Sequence, residues 1–471
     1  MIGRAVRRVL FSFLIGTTSV QALPFPGAEG FGTHTSGGRG GTVCKVTNVN
    51  DDGEGSLRHC IDSPDPRIVI FSVGGIIRLE SNLTIQHPYI SIFGQTAPNN
   101  GILITGVAGI QEALLTIATH DVVIQHLRIH PNLGNATDCC SHALTLSKAN
   151  TIETTANIVI DHCTLSGGSA GIIANTDDIH QATFSHNILG PGRSYTLNKT
   201  DADTGYTGLL FNSAKTHSLS LHHNLIAHNQ SDNPGINTGT GVIDIVNNLV
   251  YNWEQNGANL ISEHGKMQIN LVHNLYIMGK NSNRAAPELA ANNAGKDYQL
   301  FLEENLSIRD PEQAEPLPIN LGLIGWPTAD WEANERFPAP PITTFKSPTL
   351  PKKIFPSVGA TLPHRDAIDK NLISEAREQQ GSIPPCPSPP DCTTSHANHS
   401  PTDYTSGSSL PDKDNDGIPD AWEETHSLLP DKEDAAQDFN VNGYTNIEEW
   451  IFSLTPSDDK QIAQQKTKSS P

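Results

Sequence analysis

The sequence predicts an all-β chain wound as a parallel β-helix, and three observations predict it. The first is a strand phrase that recurs in one frame: Gln-Ala-Thr-Phe-Ser-His-Asn-Ile-Leu at 181–189, Ser-Leu-Ser-Leu-His-His-Asn-Leu-Ile at 218–226, Val-Ile-Asp-Ile-Val-Asn-Asn-Leu-Val at 242–250, Gln-Ile-Asn-Leu-Val-His-Asn-Leu-Tyr at 268–276 and Gln-Leu-Phe-Leu-Glu-Glu-Asn-Leu-Ser at 299–307. Apolar residues alternate ahead of the Asn, as in Leu219 and Leu221, with the period of a half-buried strand. The second is spacing: Asn187, Asn224, Asn248, Asn274 and Asn305 lie 37, 24, 26 and 31 residues apart, the length of one solenoid coil. The third is chemical, because amides stacked coil over coil donate each to the next and form a ladder. Weaker copies precede these at 157–165, where Cys163 takes the Asn position, and at 121–129. An ordinary sheet in which Asn only marks turns leaves the shared frame unaccounted for.

In chain order, Arg4, Arg7 and Arg8 precede the apolar run Val9 to Leu14, and Val20-Gln21-Ala22 supplies small residues. Residues 1–22 therefore read as a secretory signal, too short for a membrane span, and the protein is expected to be secreted. The composition suits export and a narrow, turn-rich core: 471 residues, 36% hydrophobic and 39 Gly. A formal charge of −20 argues against nucleic acid and anionic membranes as partners, and it also opposes an acidic substrate. Seven Cys, an odd number, suggest disulfides and one remaining thiol. By proximity, Cys44 with Cys60, Cys386 with Cys392, and Cys163 with Cys139 or Cys140 are the pairs to consider.

The coil between Asn187 and Asn224 is longer than its neighbours, and excess length in a solenoid leaves as a loop on one face. That loop is the expected binding surface. It carries Arg193, Tyr195, Lys199, Asp201, Asp203 and Tyr206, a mixture suited to a sugar bearing a carboxylate, although a solvated polar loop has the same composition.

A family resemblance enters with Pro24-Phe25-Pro26-Gly27-Ala28-Glu29-Gly30-Phe31-Gly32, Gly37-Gly38-Arg39-Gly40-Gly41, Val46-Thr47-Asn48, Gly55-Ser56-Leu57-Arg58 and Gly94-Gln95-Thr96-Ala97-Pro98. It continues through Ile160-Asp161-His162-Cys163, His222-His223-Asn224-Leu225, Asn247-Asn248-Leu249-Val250-Tyr251-Asn252-Trp253 and Arg365-Asp366-Ala367-Ile368-Asp369. These phrases resemble the secreted pectate lyases of polysaccharide lyase family 1, of the bacterial type. The resemblance implies a right-handed β-helix over residues 23–380, capped around Ser56 to Ile61, acting on pectic or other plant cell-wall polysaccharide. The chemistry it implies is β-elimination, in which an Arg base removes the proton beside a carboxylate while calcium stabilises the developing charge.

Position by position, this chain departs from that pattern. After His222-His223-Asn224, the family's Arg-x-Pro-Arg segment reads Asp232-Asn233-Pro234-Gly235, so the first Arg position is an acid and the second a glycine. The carboxylates expected after Asp161-His162-Cys163 fall on Ala170 and Gly171, and one expected a coil earlier falls on His142. The catalytic residue is therefore left unassigned, calcium is not expected in the groove, and Arg193 and Lys199 are the substrate-binding candidates. Two functions follow: a pectate lyase-like enzyme with a rearranged set of groups, or a catalytically degenerate polysaccharide-binding β-helix. His162, His186, His222, His223 and His273 recur in the frame of the ladder and read as stacked rather than catalytic, whereas Asp161 fits either role.

Trp326 to Pro351 is Pro-rich and is expected to pack irregularly over the helix, and 381–411 reads as a Pro/Ser-rich linker. Beyond it, Asp412, Asp414, Asp416, Ile418, Asp420 and Glu423 occupy the oxygen-ligand positions of a twelve-residue calcium loop, with Gly417 at the turn. A second copy, 26 residues on, has Asp438, Asn440, Asn442, Tyr444, Asn446 and Glu449, with fewer charges and weaker expected binding. The pair over 412–452 resembles the EF-hand-like thrombospondin type 3 and dockerin repeats. Its calcium is expected to be structural, or to order a surface for a cell-envelope or protein partner. A polar tail, 453–471, ends the chain.

Overall fold

A computed structural model describes residues 22–131, 141–148, 154–168, 170–175, 177–192, 194–195, 208–292, 298–313, 315–324, 331–383, 385–386, 404–407 and 409–455. The expected signal, most of the long loop and most of the linker lie outside these residues. The chain forms a parallel β-solenoid whose coils feed three sheets of ten, ten and nine strands, the tenth strand of the second sheet, Leu317–Pro318, being added antiparallel at its end. Sheet I runs from Thr42–Val46 to Tyr298–Glu303 and holds the recurring phrase. Sheet II, from Gly75–Leu79 to Leu306–Ile308, follows the Asn, and sheet III, from Leu83–Ile85 to Leu321–Ile324, closes the coil.

Register comes from side chains that meet their own kind one coil away. In sheet I the inward line Ile158, Ala182, Leu219, Ile243, Ile269 and Leu300 is paired residue to residue and is buried throughout. A slip of one residue would turn this line outward. At the corner between sheets I and II the expected ladder is present. Asn187 Nδ2 donates to Asn224 Oδ1 at 3.1 Å, Asn224 to Asn248 at 2.9 Å, Asn248 to Asn274 at 3.1 Å and Asn274 to Asn305 at 2.9 Å. Each of these carbonyls also accepts the backbone N–H of the preceding Asn, so one side chain serves two donors of the coil before it.

Cys163 holds the ladder position of the earlier coil, its N–H donating to Asn187 Oδ1 at 2.8 Å. Its pairing with Cys139 or Cys140 does not form: Cys163 is a free thiol, fully buried, and burial pushes it up to about 12. Cys44 is bonded to Cys60, which ties the first strand of sheet I to the cap helix α1 (Leu57–Asp62).

The residue before each ladder position turns the corner at positive φ: His126, His162, His186, His223, Asn247, His273 and Glu304. Side chains at such positions are costly unless something holds them. Here rings stack along the coil axis, His126 on His162 at 5.1 Å, His162 on His186 at 4.7 Å and His186 on His223 at 5.0 Å. His222 and His273 depart from the expected stack. His222 lies edge-on to His186 and His223, and His273 turns to Glu304 at 2.6 Å. Asp161 ties this corner, meeting His162 Nδ1 at 2.7 Å, His186 Nδ1 at 3.3 Å and Ser185 Oγ at 2.7 Å. Burial alone would raise its carboxyl, but the two imidazoles hold it well below the ordinary range.

The outer face of sheet I is covered by chain from three places. The glycine-rich stretch after Ala28 lies directly on it, with Gly32 N donating to Thr183 Oγ1 at 2.8 Å and Gly38 N to Ser91 Oγ at 2.9 Å. A Cβ at Gly38 would stand 1.8 Å from the Arg67 carbonyl oxygen, which is why the contact takes glycine. Later coils are covered by the irregular segment at 331–346, where Arg336 pairs with Asp244 at 2.7 Å and Asn270 holds Phe337 N at 2.9 Å. Ile68, Ile70, Phe93 and Val123 are covered by Ile418, Ile447, Trp450 and Ile451 of the C-terminal segment.

Sheet II is covered by α2 (Leu350–Ser357) and α3 (Ala367–Glu378), whose Leu350, Ile354, Leu372 and Ile373 pack on Leu225, Leu249, Tyr251 and Leu275. The family phrase at 365–369 anchors that cover. Asp366 caps α3, accepting from Asp369 N at 2.9 Å, and Thr164 Oγ1 donates to the Asp369 carboxylate at 2.9 Å.

Two predictions follow from these buried polar groups. Asn224→Ala removes the partner of two Asn187 donors, so we expect a loss of roughly 2–4 kcal/mol in urea unfolding, against a smaller loss for Asn305→Ala at the end of the column. Burial and Asp366 push the Asp369 carboxyl up to about 7. A raised acid stabilises the fold below its unfolded value and loses that contribution as pH climbs through about 7. Asp369→Asn should therefore raise the apparent melting temperature by ~2 °C or more at pH 8 and change it little near pH 5.

Candidate functional site

Among the described residues, no buried apolar cluster covers the outer face of sheet III, whereas sheets I and II are both roofed over. Sheet III is thus, among the described residues, the face without an apolar cover. Its outward column, read from the register, is Thr84, Thr116, Thr145, Ala174, Leu210, Gly235, Asn259, Ala290 and Gly322. The floor is small, flat and without charge.

Beside it Asn237 Nδ2 donates to Asn212 Oδ1 at 3.0 Å and to Glu263 Oε2 at 2.8 Å, and His264 Nε2 meets Asn212 Oδ1 at 2.8 Å. Asn237 is buried and its Oδ1 also accepts from Glu263 N at 3.2 Å, so these groups brace one another along the edge of the sheet. Nothing in the strand phrase marks Asn212, Asn237 and Asn259 as groove residues, because only the register shows which face they occupy.

The structure places the residues that replace the family's pattern at this face. Gly235 stands in the outward column, paired with Leu210 and Asn259. Asp232 is fully buried beside it, its Oδ1 accepting from Asn259 Nδ2 at 3.0 Å and its Oδ2 from Ser231 Oγ at 3.2 Å. Burial pushes this carboxyl above its ordinary range, and those two bonds pull the other way. The two substitutions form one unit: a Cβ on Gly235 would lie 2.6 Å from Asp232 Oδ1 and 2.8 Å from Asp232 Cβ. The acid occupies the space from which a longer side chain at 235 would start.

Two coils earlier, Ala170 N and Gly171 N both donate to Ser141 O, at 2.7 and 3.2 Å, so position 142 and positions 170 and 171 are neighbours. They bring together an imidazole and two residues without side-chain oxygens. Burial lowers His142 to about 4, which leaves it neutral near pH 7. Among the described residues, no group of three acidic, His or Cys side chains converges there. Arg193 and Lys199 lie outside the described residues.

The C-terminal segment brings acidic side chains together in two groups. Asp412, Asp414 and Asp416 offer oxygens within 4.8 Å of one another, as do Asp416, Glu423 and Asp434. Glu423 is fully buried and neither of its carboxylate oxygens has a hydrogen-bond partner; Asp412 Oδ1 and Asp414 Oδ2 are in the same condition. Unpaired buried carboxylates crowded together fit a divalent cation of hard, oxygen-seeking character. Gly417 N donates to Asp412 Oδ2 at 3.0 Å across the turn at the sixth position.

Asp420, expected as a ligand, uses Oδ1 to accept from Lys413 N at 2.8 Å, and Asn446 in the second loop likewise accepts from Phe439 N at 3.2 Å. Both ninth positions thus close their loops. Asp434, between the loops and absent from the twelve-residue pattern, joins the first cluster through the fold. In the second loop Glu449 Oε1 takes the Asn440 amide at 3.3 Å and also that of Asn442, and Asp438 Oδ2 accepts from Gly443 N at 2.8 Å.

Comparison with known proteins follows the fold. The chain is 29% identical over 463 residues to a probable pectate lyase C of Aspergillus terreus, covering 95% of this chain and 98% of that protein. It is 27% identical over 455 residues to one of Aspergillus fumigatus, with the same coverage. A probable pectate lyase 5 of Arabidopsis thaliana is 31% identical over 197 residues, 36% of this chain and 46% of that protein. No family model matches the chain. A crystal structure of Jun a 1, the major allergen from cedar pollen, superposes with a TM-score of 0.41 at 18% identity, over 70% of this chain and 92% of that one. A superposition of that quality adds nothing to what the strand register shows.

The coupling of Asp232 with Gly235 is open to a double-mutant cycle. Gly235→Ala should destabilise by about 1–3 kcal/mol through overpacking, and Asp232→Gly, which suits the φ of 57° there, should remove most of that cost. Equal effects of Gly235→Ala in both backgrounds, in urea melts, would show the two sites to be independent.

Proposed function

We propose that this chain is a secreted, pectate lyase-like protein that takes pectic polysaccharide along the groove of sheet III. The observation that carries this is similarity to proteins named pectate lyase over 92–95% of the chain. Sheet III, the uncovered face and the one that holds positions 235 and 259, supports the location. Action by β-elimination is the first reading, and its base is a group other than the residue at 235.

A specific observation favours the second reading, a β-helix that binds the polymer without turnover. At the two positions where the resemblance places arginines stand a glycine and a fully buried acid, and the calcium positions carry His142, Ala170 and Gly171. With Asp232 and Glu263 beside the floor and a net charge of −20, the groove suits methyl-esterified segments better than a fully charged polyanion.

Calcium belongs, on the same reading, to the C-terminal loops. Asp412, Asp414, Asp416 and Glu423 would hold it in the first, with the Ile418 carbonyl at the seventh position, and the ion would neutralise their mutual repulsion. The second loop, with Asp438, Asn440, Asn442, Tyr444, Asn446 and Glu449, is the weaker site.

The test is to incubate the secreted protein with polygalacturonate, methyl-esterified pectin and a neutral glycan, with calcium or a chelator. Unsaturated product is followed in the ultraviolet, and binding by co-sedimentation. We expect pectin to bind at least as well as polygalacturonate, and any unsaturated product to form equally with and without calcium. Elimination that the chelator abolishes would overturn the reading of positions 142, 170 and 171, and absence of binding to every polymer would overturn the groove.

A further inference from the structure

The C-terminal calcium loop does not stand apart from the solenoid. Gly417 and Ile418, its sixth and seventh positions, face the first strands of sheet I. A Cβ on Gly417 would lie 2.9 Å from both Ile70 Cδ1 and Val43 Cγ1, and its φ of 106° also requires glycine. Ile418 is fully buried in the cluster formed by Ile68, Ile70, Phe93 and Val123 with Ile447, Trp450 and Ile451. Two ion pairs frame this contact. Lys45 Nζ meets Asp412 Oδ2 at 3.0 Å, and Arg39 Nε meets Glu448 Oε2 at 2.9 Å. The strand beneath, Thr42–Val46, begins sheet I, and its Val43 side chain lies under this cover.

The acids of the loop are part of the same unit. Asp412 reaches both Lys45 and the carboxylate cluster, and Asp416 Oδ2 accepts from Asp434 N at 3.0 Å and Ala435 N at 2.9 Å, which places the approach to α5 (Asn446–Ser453) beside the loop. The fully buried Glu423 carboxylate and its acidic neighbours repel one another unless a cation lies among them, and that repulsion would work against the loop that seats Gly417 and Ile418 on Ile70.

We propose that calcium bound by the two carboxylate groups that meet at Asp416, one with Asp412 and Asp414 and the other with Glu423 and Asp434, clamps the C-terminal segment onto the first coils of the solenoid. The ion's function is then internal: it closes the protein's own N-terminal coils instead of ordering a free attachment surface. The clamp rests on calcium binding by the first loop, and the two are separable by experiment.

Hydrogen exchange of the full-length secreted protein, stripped with chelator and then given calcium, is measured peptide by peptide, with calorimetry reporting binding of the ion. We expect calcium to bind and to slow exchange by about tenfold or more in 412–452 and also in 42–46 and 67–71. Binding that protects 412–452 alone would overturn the clamp and leave the calcium site standing. No binding and no change in either region would overturn the calcium site, and the clamp with it. In the paired variant Glu423→Gln, Asp434→Asn, which keeps the shape of both side chains, calcium should no longer slow exchange in either region. Protection of 42–46 that persists in the variant would show that the ion acts elsewhere.

Discussion

The in-register column of asparagines is the constraint on which the structure depends. A solenoid corner must bend the chain by nearly a right angle while burying backbone N–H and C=O groups, and such groups are costly when unpaired. Asn187 through Asn305 meet that demand, because each side chain serves the coil before and the coil after. Any shift of register would break all the links at once. The aliphatic lines in the sheets can therefore be made of residues as similar as Ile, Leu and Ala without loss of specificity.

Once the coils are stacked, three faces exist and covering them distributes function. Sheet I receives the glycine-rich N-terminal stretch, an irregular segment and the C-terminal segment, while sheet II receives α2 and α3. What remains is sheet III, an uncharged floor edged by amides. The chemistry of that face differs from the resemblance through a coupled pair: a glycine at 235 is required by the acid at 232, whose carboxylate fills the space over it. Replacement of one alone would strain the face, which is how two departures from a pattern form a single structural feature.

Much of this was legible in the chain itself. The ladder, its Cys163 variant and the Cys44–Cys60 bond correspond to the residues that the repeat frame and spacing pick out. The histidines were legible in part. His162, His186 and His223 stack, but His222 stands one position earlier, in register with Ser185, and His273, in the frame of the stack, turns to Glu303 and Glu304. A pairing for Cys163 was not realised, since a residue at a ladder position points into the coil and away from any loop. Helices α2 and α3 follow a Pro-rich stretch whose local pattern is weak, and they form because sheet II offers an apolar face to pack on.

The sequence alone determined the solenoid, the identity of its ladder, the loss of arginine and carboxylates from the expected positions, and the two calcium-loop patterns. All of these are matters of period and residue type, which a linear string records. Only the tertiary structure decided which face lacks an apolar cover among the described residues, that Asp232 and Gly235 share one space, that Asp434 joins Asp416 and Glu423, and that the loop around Gly417 rests on Val43 and Ile70. Those facts depend on contacts between residues tens to hundreds of positions apart, and distance through the fold is what a linear order of residues does not contain.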